Sequence, residues 1–192
     1  MARPQEFSTP DALRAAMHLF WRRGFEATSM TDLLNATGLS KSSLYATFGG
    51  KRELFLAALD AYREEQGAIF RETLASGDAR TSLETYFRRI VATEREPEYA
   101  FGCMSVCQLV EMSPRDPEVQ QRLLADMDAG AQQLAEIIAK GQNEGSVRSK
   151  RAPLELAQLL SVAFAGLQVL VRAGADRRRL DSAVTALLAN LD

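Results

Sequence analysis

Residues 28–54, TSMTDLLNATGLSKSSLYATFGGKREL, constrain the fold more than the rest of the chain together. They read as two short helices joined by a glycine turn, with a third helix opening at once on Lys51. Ser29 is a natural N-cap for the first, Gly38 ends it in a left-handed turn, and Ser40 caps the second. The second helix spans only about 41–47. Leu44 and Phe48, four apart, form its inner face, which leaves Lys41, Ser42, Ser43, Tyr45 and Thr47 outward. A short helix with an apolar anchor and an outer face of lysine, hydroxyls and a tyrosine suits a DNA groove. The pattern is that of a helix-turn-helix.

GLSKSSLYATFGGKREL resembles the N-terminal signature of the TetR/AcrR family of bacterial transcriptional regulators. The preceding RRGFEATSM resembles the same family's passage from its first helix to its second. The resemblance is close over about the first 55 residues and architectural over the remainder. Ser42 stands where the family most often has glycine or alanine, and Ala46-Thr47 replace a more usual aromatic and histidine; both departures bear on base preference. Chemistry and resemblance together imply the DNA contacts. Thr28 and Ser29 would offer hydroxyls and backbone N–H groups to one phosphate, Tyr45 its hydroxyl to a second, and Lys51 its charge to another. Lys41, Ser42, Ser43 and Thr47 are candidates for base edges or adjacent phosphates. Lys41 is the one side chain of the set suited to bidentate base recognition, so DNA shape would share in discrimination.

Almost every other segment also reads as helix, and no credible alternating strand is present. A first helix is expected from a Thr9-Pro10 start, with Leu13, Ala16, Met17, Phe20 and Trp21 as its apolar stripe. Gly24 stops it, and Phe25 packs back. A long helix over about 51–74 follows the helix-turn-helix and is broken at 76–78. The fifth carries Leu83, Phe87, Ile90 and Val91, and the nearly apolar sixth covers about 102–112. The seventh is capped at Asp116-Pro117 and closed by Gly141 and Gly145. The last two cover about 153–173 and 176–191. The expectation is therefore an all-α protein of about nine helices. Three form a DNA-binding domain over residues 1–54; the rest form a helical ligand-binding and dimerisation domain over 55–192.

The eighth helix is apolar nearly all round, and such a helix must be covered on every side. A two-fold interface is the economical cover. Leu160, Phe164, Leu167 and Val171, with Val184, Leu187 and Leu188 of the last helix, are the expected dimer contacts in a four-helix bundle. Val162 and Val169 lie off that face.

Charge is a weak guide. The net charge is −2, yet the first 55 residues carry seven Lys/Arg against five Asp/Glu, a small positive surplus on the half that would meet phosphate. Two cysteines without a leader of sufficient apolar length point to the cytoplasm. The longest charge-free run, 156–171, falls short of a membrane span.

Cys103 and Cys107 lie four apart and read as core or pocket-lining thiols, with an oxidant sensor or half a metal site as the sharper alternatives. A metal is not expected: the single histidine, His18, sits on the polar face of the first helix. Phe70, Phe87, Phe101, Met104 and Met127 read by spacing as core. The resemblance implies an internal cavity, with these residues and the two cysteines as candidates to line it around a small hydrophobic or aromatic effector. Gln108 and Glu111 could add polar contacts or face water. No catalytic constellation and no cofactor motif is present in the sequence. The reading is a ligand-responsive repressor bound as a homodimer to a near-palindromic operator. The alternatives are a ligand-independent DNA-binding regulator and a helical adaptor that uses its N-terminal helices for protein contacts.

Overall fold

The computed structural model describes residues 8–92 and 97–192, with the side chains of 97 and 98 excepted. Among these residues all regular structure is helical, and the chain divides into two compact units, Met1–Gln66 and Gly67–Asp192. The division falls inside a helix, later than the boundary expected after residue 54.

The first unit holds α1 (Thr9–Arg23), α2 (Met30–Thr37), α3 (Lys41–Phe48) and most of α4 (Lys51–Ala75). Ser8, not Thr9, caps α1: its Oγ accepts from the Asp11 backbone N–H, and Pro10 occupies the first turn, where its missing donor costs nothing. Gly24 ends α1 at φ 87°, a conformation that any Cβ would strain. The chain turns there, and Phe25 folds back between Phe20 and Phe55, with ring centroids 6.2 and 5.0 Å away. Phe20 and Phe55 meet edge to face at 5.3 Å, and Trp21 meets Tyr62 at 4.9 Å. Phe20, Leu33, Leu44, Leu54 and Phe55 are fully enclosed. Each such side chain contributes about 1.5–3 kcal/mol, so three short helices hold without a larger core.

The second unit holds the end of α4, α5 (Ala79–Arg89), a 3-10 turn (Pro97–Phe101), α6 (Met104–Met112), α7 (Pro117–Glu144), α8 (Pro153–Arg172), α9 (Arg177–Leu188) and a closing 3-10 turn (Ala189–Leu191). Asp78, Asp116 and Asp176 cap α5, α7 and α9. α6 starts at Met104, later than expected, because Gly102 is in the left-handed region at φ 69° and lies against α8. A Cβ there would meet the Gln168 carbonyl oxygen at 2.7 Å. Gly141 does not close α7. It lies within the helix, where a Cβ would strike Ala79 and Val147 side chains at 2.7 Å; Gly145 is the C-cap, at φ 82°.

One core runs through this unit, with Leu83, Phe87, Leu134, Ile138, Leu156, Leu160, Leu167, Val171, Val184 and Leu188 in it. α8 is long and apolar enough, by length and composition, to cross a membrane, against the expectation from its charge-free run. Its inner face nevertheless belongs to this core.

Candidate nucleic-acid interface

Three local devices set α2 and α3 in place. Ser29 accepts from the Asp32 backbone N–H while the Asp32 carboxylate accepts from the Ser29 backbone N–H, a reciprocal cap on α2. Gly38 follows at φ 69°, and its N–H bonds to the Leu34 carbonyl. Ser40 then caps α3 by accepting from the Ser43 N–H at 3.1 Å. Leu44 drops into the core with no exposed surface and Phe48 is half-buried. The opposite face is consequently open to solvent: Lys41, Ser42, Ser43, Tyr45 and Thr47 are all exposed, Tyr45 to 48%.

The Asp32 carboxylate is pulled from its ordinary 3.8 down to about 2. The Ser29 hydroxyl bond at 2.6 Å contributes most, then the Ser29 backbone N–H; the Arg23 guanidinium at 2.8 Å adds to it. Asp32 therefore stays ionised and locks the entry to α2. The Ser40 hydroxyl lies 3.0 Å from Ser42 Oγ and 2.9 Å from Ser43 Oγ, which gathers three hydroxyls at the N-terminal end of α3. Half-buried Lys51 opens α4 with its ammonium over the Phe25 ring.

Thr28 needs correction. It is wholly buried, its hydroxyl donates to the Gly24 carbonyl at 2.7 Å, and its N–H to the Phe25 carbonyl at 3.3 Å. Both groups that were to meet phosphate are spent on closing the α1–α2 turn. Ser29, one residue on, is exposed.

In the second unit the expected dimer contacts divide. Leu160, Leu167, Val171, Val184 and Leu188 are core residues of the unit itself, and Phe164 and Leu187 pack half-buried against that core. The first five are corrected from subunit interface to core, because the unit's own helices already cover them, whereas Phe164 and Leu187 keep part of their surface exposed. The uncovered stripe of α8 is the neighbouring one, with Leu159, Val162 (71% exposed), Gly166 and Val169; on α9, Ser182, Ala183 and Ala186 are likewise exposed.

The residues expected to line a cavity also divide. Phe87 and Met104 are fully enclosed in the unliganded unit. Phe70, Phe101, Cys103, Cys107 and Met127 are half-buried. Phe70 meets Tyr86 edge to face at 4.9 Å, and Tyr86 in turn stacks on Phe164 at 6.2 Å, so α4, α5 and α8 share a three-ring cluster. Tyr86 escaped the sequence reading, although it stands three residues after Leu83 on the inner face of α5. Burial holds its phenol protonated far above the ordinary range. Burial also raises the Cys107 thiol, with nearby Arg172 opposing; the Sγ donates to the Phe101 carbonyl at 3.8 Å, and Arg172 donates to the same carbonyl at 2.8 Å. A thiol so placed is a poor nucleophile at rest. Among the described residues no three His, Cys, Asp or Glu side chains converge as a metal site.

Comparison with known proteins agrees with this geometry. Residues 12–58 match the model of the N-terminal domain of bacterial regulatory proteins of the tetR family, and residues 77–187 match a tetracyclin repressor-like C-terminal domain. The HTH-type transcriptional regulator YezE of Bacillus subtilis is 30% identical over the whole of both chains. The HTH-type transcriptional repressor ComR of Escherichia coli is 29% identical over 93% of this chain and 86% of its own. A cysteine mutant of the transcriptional regulator CifR, solved in complex with 26 bp double-strand operator DNA, is 29% identical, covers 100% of both chains and superposes with a TM-score of 0.87.

Proposed function

The chain belongs to the TetR family of bacterial regulatory proteins and is a DNA-binding transcriptional regulator, and we propose that it represses from a near-palindromic operator as a cytoplasmic homodimer released by a small effector. The observation that carries this reading is the outer face of α3. Leu44 fixes the helix from below, and a lysine, two serines, a tyrosine and a threonine are left exposed on its other side. Lys41, Ser42, Ser43 and Thr47 read base edges or adjacent phosphates, while Ser29, Tyr45 and Lys51 hold the backbone. The relative ComR is named a repressor, and CifR was solved on operator DNA; both favour repression at a defined site.

Two recognition helices in successive major grooves, about 34–36 Å apart or a simple multiple of that, require two copies. The uncovered stripe of α8, with Leu159, Val162, Gly166 and Val169, supports a partner face made with Ala183 and Ala186 of α9. Its small residues allow close helix approach, and its apolar side chains Leu159, Val162 and Val169 stay exposed on the unit's surface. The effector is small and hydrophobic or aromatic, and it lodges by the Phe70–Tyr86–Phe164 cluster with Cys103 and Cys107 nearby on α6. α4 carries residues of both units in one continuous helix. A ligand that shifts the end of α4 thereby acts on the spacing of the recognition helices. Release needs little: about 2.7 kcal/mol of differential affinity is a hundredfold.

Nuclease footprinting on the DNA upstream of the chain's own gene tests the reading. Two protected half-sites related by a dyad, one helical turn or a multiple apart, support it. A single asymmetric footprint contradicts the dimer, and no protection at the protein concentration that saturates related operators contradicts the operator assignment.

A further inference from the structure

Gln108 lies in the middle of α6 with 1% of its surface exposed, and neither its Nε2 nor its Oε1 has a hydrogen-bond partner. Two other glutamines of the same unit show what this fold ordinarily does with such a group. Gln142 Nε2 donates to the Ser149 and Arg151 carbonyls, both at 2.8 Å, and buried Gln168 donates to the Ile90 carbonyl at 3.4 Å. An amide enclosed without partners loses its bonds to water and receives nothing in return. A leucine or methionine of similar volume would avoid that loss altogether. A carboxamide at this position therefore weakens the unliganded unit, and its use lies in a state where the amide is satisfied.

The neighbours on the same helical face, at i−4 and i+4, are Met104 and Met112, both buried. Unbranched thioether chains repack readily around an incoming group, so this face can open where branched residues would resist. A carboxamide presents one donor and one acceptor side by side and carries no charge. A neutral group with a donor and an acceptor side by side satisfies both at once, an amide or lactam being the simplest, whereas a charged group would enter without a counter-charge from Gln108.

We infer that Gln108 is the polar recognition point for the effector, and that the effector is a small uncharged molecule presenting a donor and an acceptor side by side, as a primary amide or lactam does. This rests on the effector-responsive reading above and narrows its chemistry. The unliganded α6 face is closed, and the entering ligand displaces Met104 and Met112 as it pairs with the amide.

Thermal denaturation of the full-length protein and its Gln108→Met and Gln108→Leu variants tests the inference, with benzamide and caprolactam as probes, toluene as the apolar control and benzoate as the charged one. The unliganded Met variant is expected to melt at least about 2 °C above the parent protein, the shift that removing one orphaned amide gives in a chain of this size. Benzamide or caprolactam should raise the parent's melting temperature saturably, well beyond toluene and benzoate, and that increment should vanish in both variants. Both variants melting below the parent would show that Gln108 holds the fold, and would overturn the inference. So would equal amide shifts in parent and variants, or no amide shift in the parent. Operator binding of the same samples by anisotropy separates the two levels: a parent that ignores DNA yet shows the amide pattern defeats the regulatory reading and leaves the Gln108 site standing.

Discussion

The ammonium of Lys51 lies 4.3 Å from the centroid of the Phe25 ring. Phe25 itself is wedged beside Phe20 and Phe55, so a core aromatic positions a cation at the first residue of α4. Lys51→Ala is expected to weaken binding to specific and non-specific DNA by a similar factor and to flatten the salt slope by about one unit. Titrations at several salt concentrations measure both. An unchanged slope would remove Lys51 from the phosphate contacts.

Thr28→Val keeps the shape of the side chain and leaves the Gly24 carbonyl without its donor. The cost is about 1–3 kcal/mol of stability in urea denaturation. The salt slope of DNA binding should not move, because the lost hydroxyl faces inward. A flattened slope with unchanged stability would return Thr28 to the interface.

Asp32 links stability to acid. Its folded pKa of about 2 lies below the ordinary 3.8, so its stabilising contribution is complete above pH 4 and is lost as pH falls from there through 2. Asp32→Asn should remove that part of the acid dependence while leaving the profile above pH 5 unchanged in form. An identical profile in the two proteins between pH 4 and 2 would show that the Ser29–Asp32 cap does not shift the carboxyl.

The two faces of α8 answer differently to a charge. Leu167→Arg, in the core, should cost more than about 4 kcal/mol and yield unfolded or aggregated protein. Val162→Arg, on the uncovered stripe, should yield a folded monomer by sedimentation with unchanged helical content. A folded dimer in the second variant would move the interface elsewhere.

The helix-turn-helix was legible because its determinants are local. Ser29, Gly38 and Ser40 act on backbone groups within four residues, and Leu44 with Phe48 makes the inner face of a short helix that is otherwise mostly polar. Thr28 is not legible in the same way, because a threonine before a helix can turn its hydroxyl to solvent or to a carbonyl one turn back, and only the closed turn at Gly24 decides. α8 defeated periodicity for a different reason. With apolar residues on every side, spacing could not say which face meets the unit's own core, and Leu160 and Leu167 look the same as Val162 and Val169 until α7 and α9 are in place. From the sequence, Gln108 fits a polar contact and a water-facing position equally well. Its burial depends on packing partners far along the chain, and no spacing on α6 reveals that its amide goes unpaired.

Fluorescence anisotropy of the protein with DNA upstream of its own gene, against scrambled DNA from low to physiological salt, tests DNA recognition through α3 most directly when Lys41→Ala is measured in parallel. The predicted result is a preference for the upstream fragment at physiological salt, two chains per site, and a Lys41→Ala variant that keeps the weak scrambled-DNA binding but loses most of the preference. Equal binding of both fragments by the parent protein, or a preference unchanged in the variant, would contradict recognition through the outer face of α3.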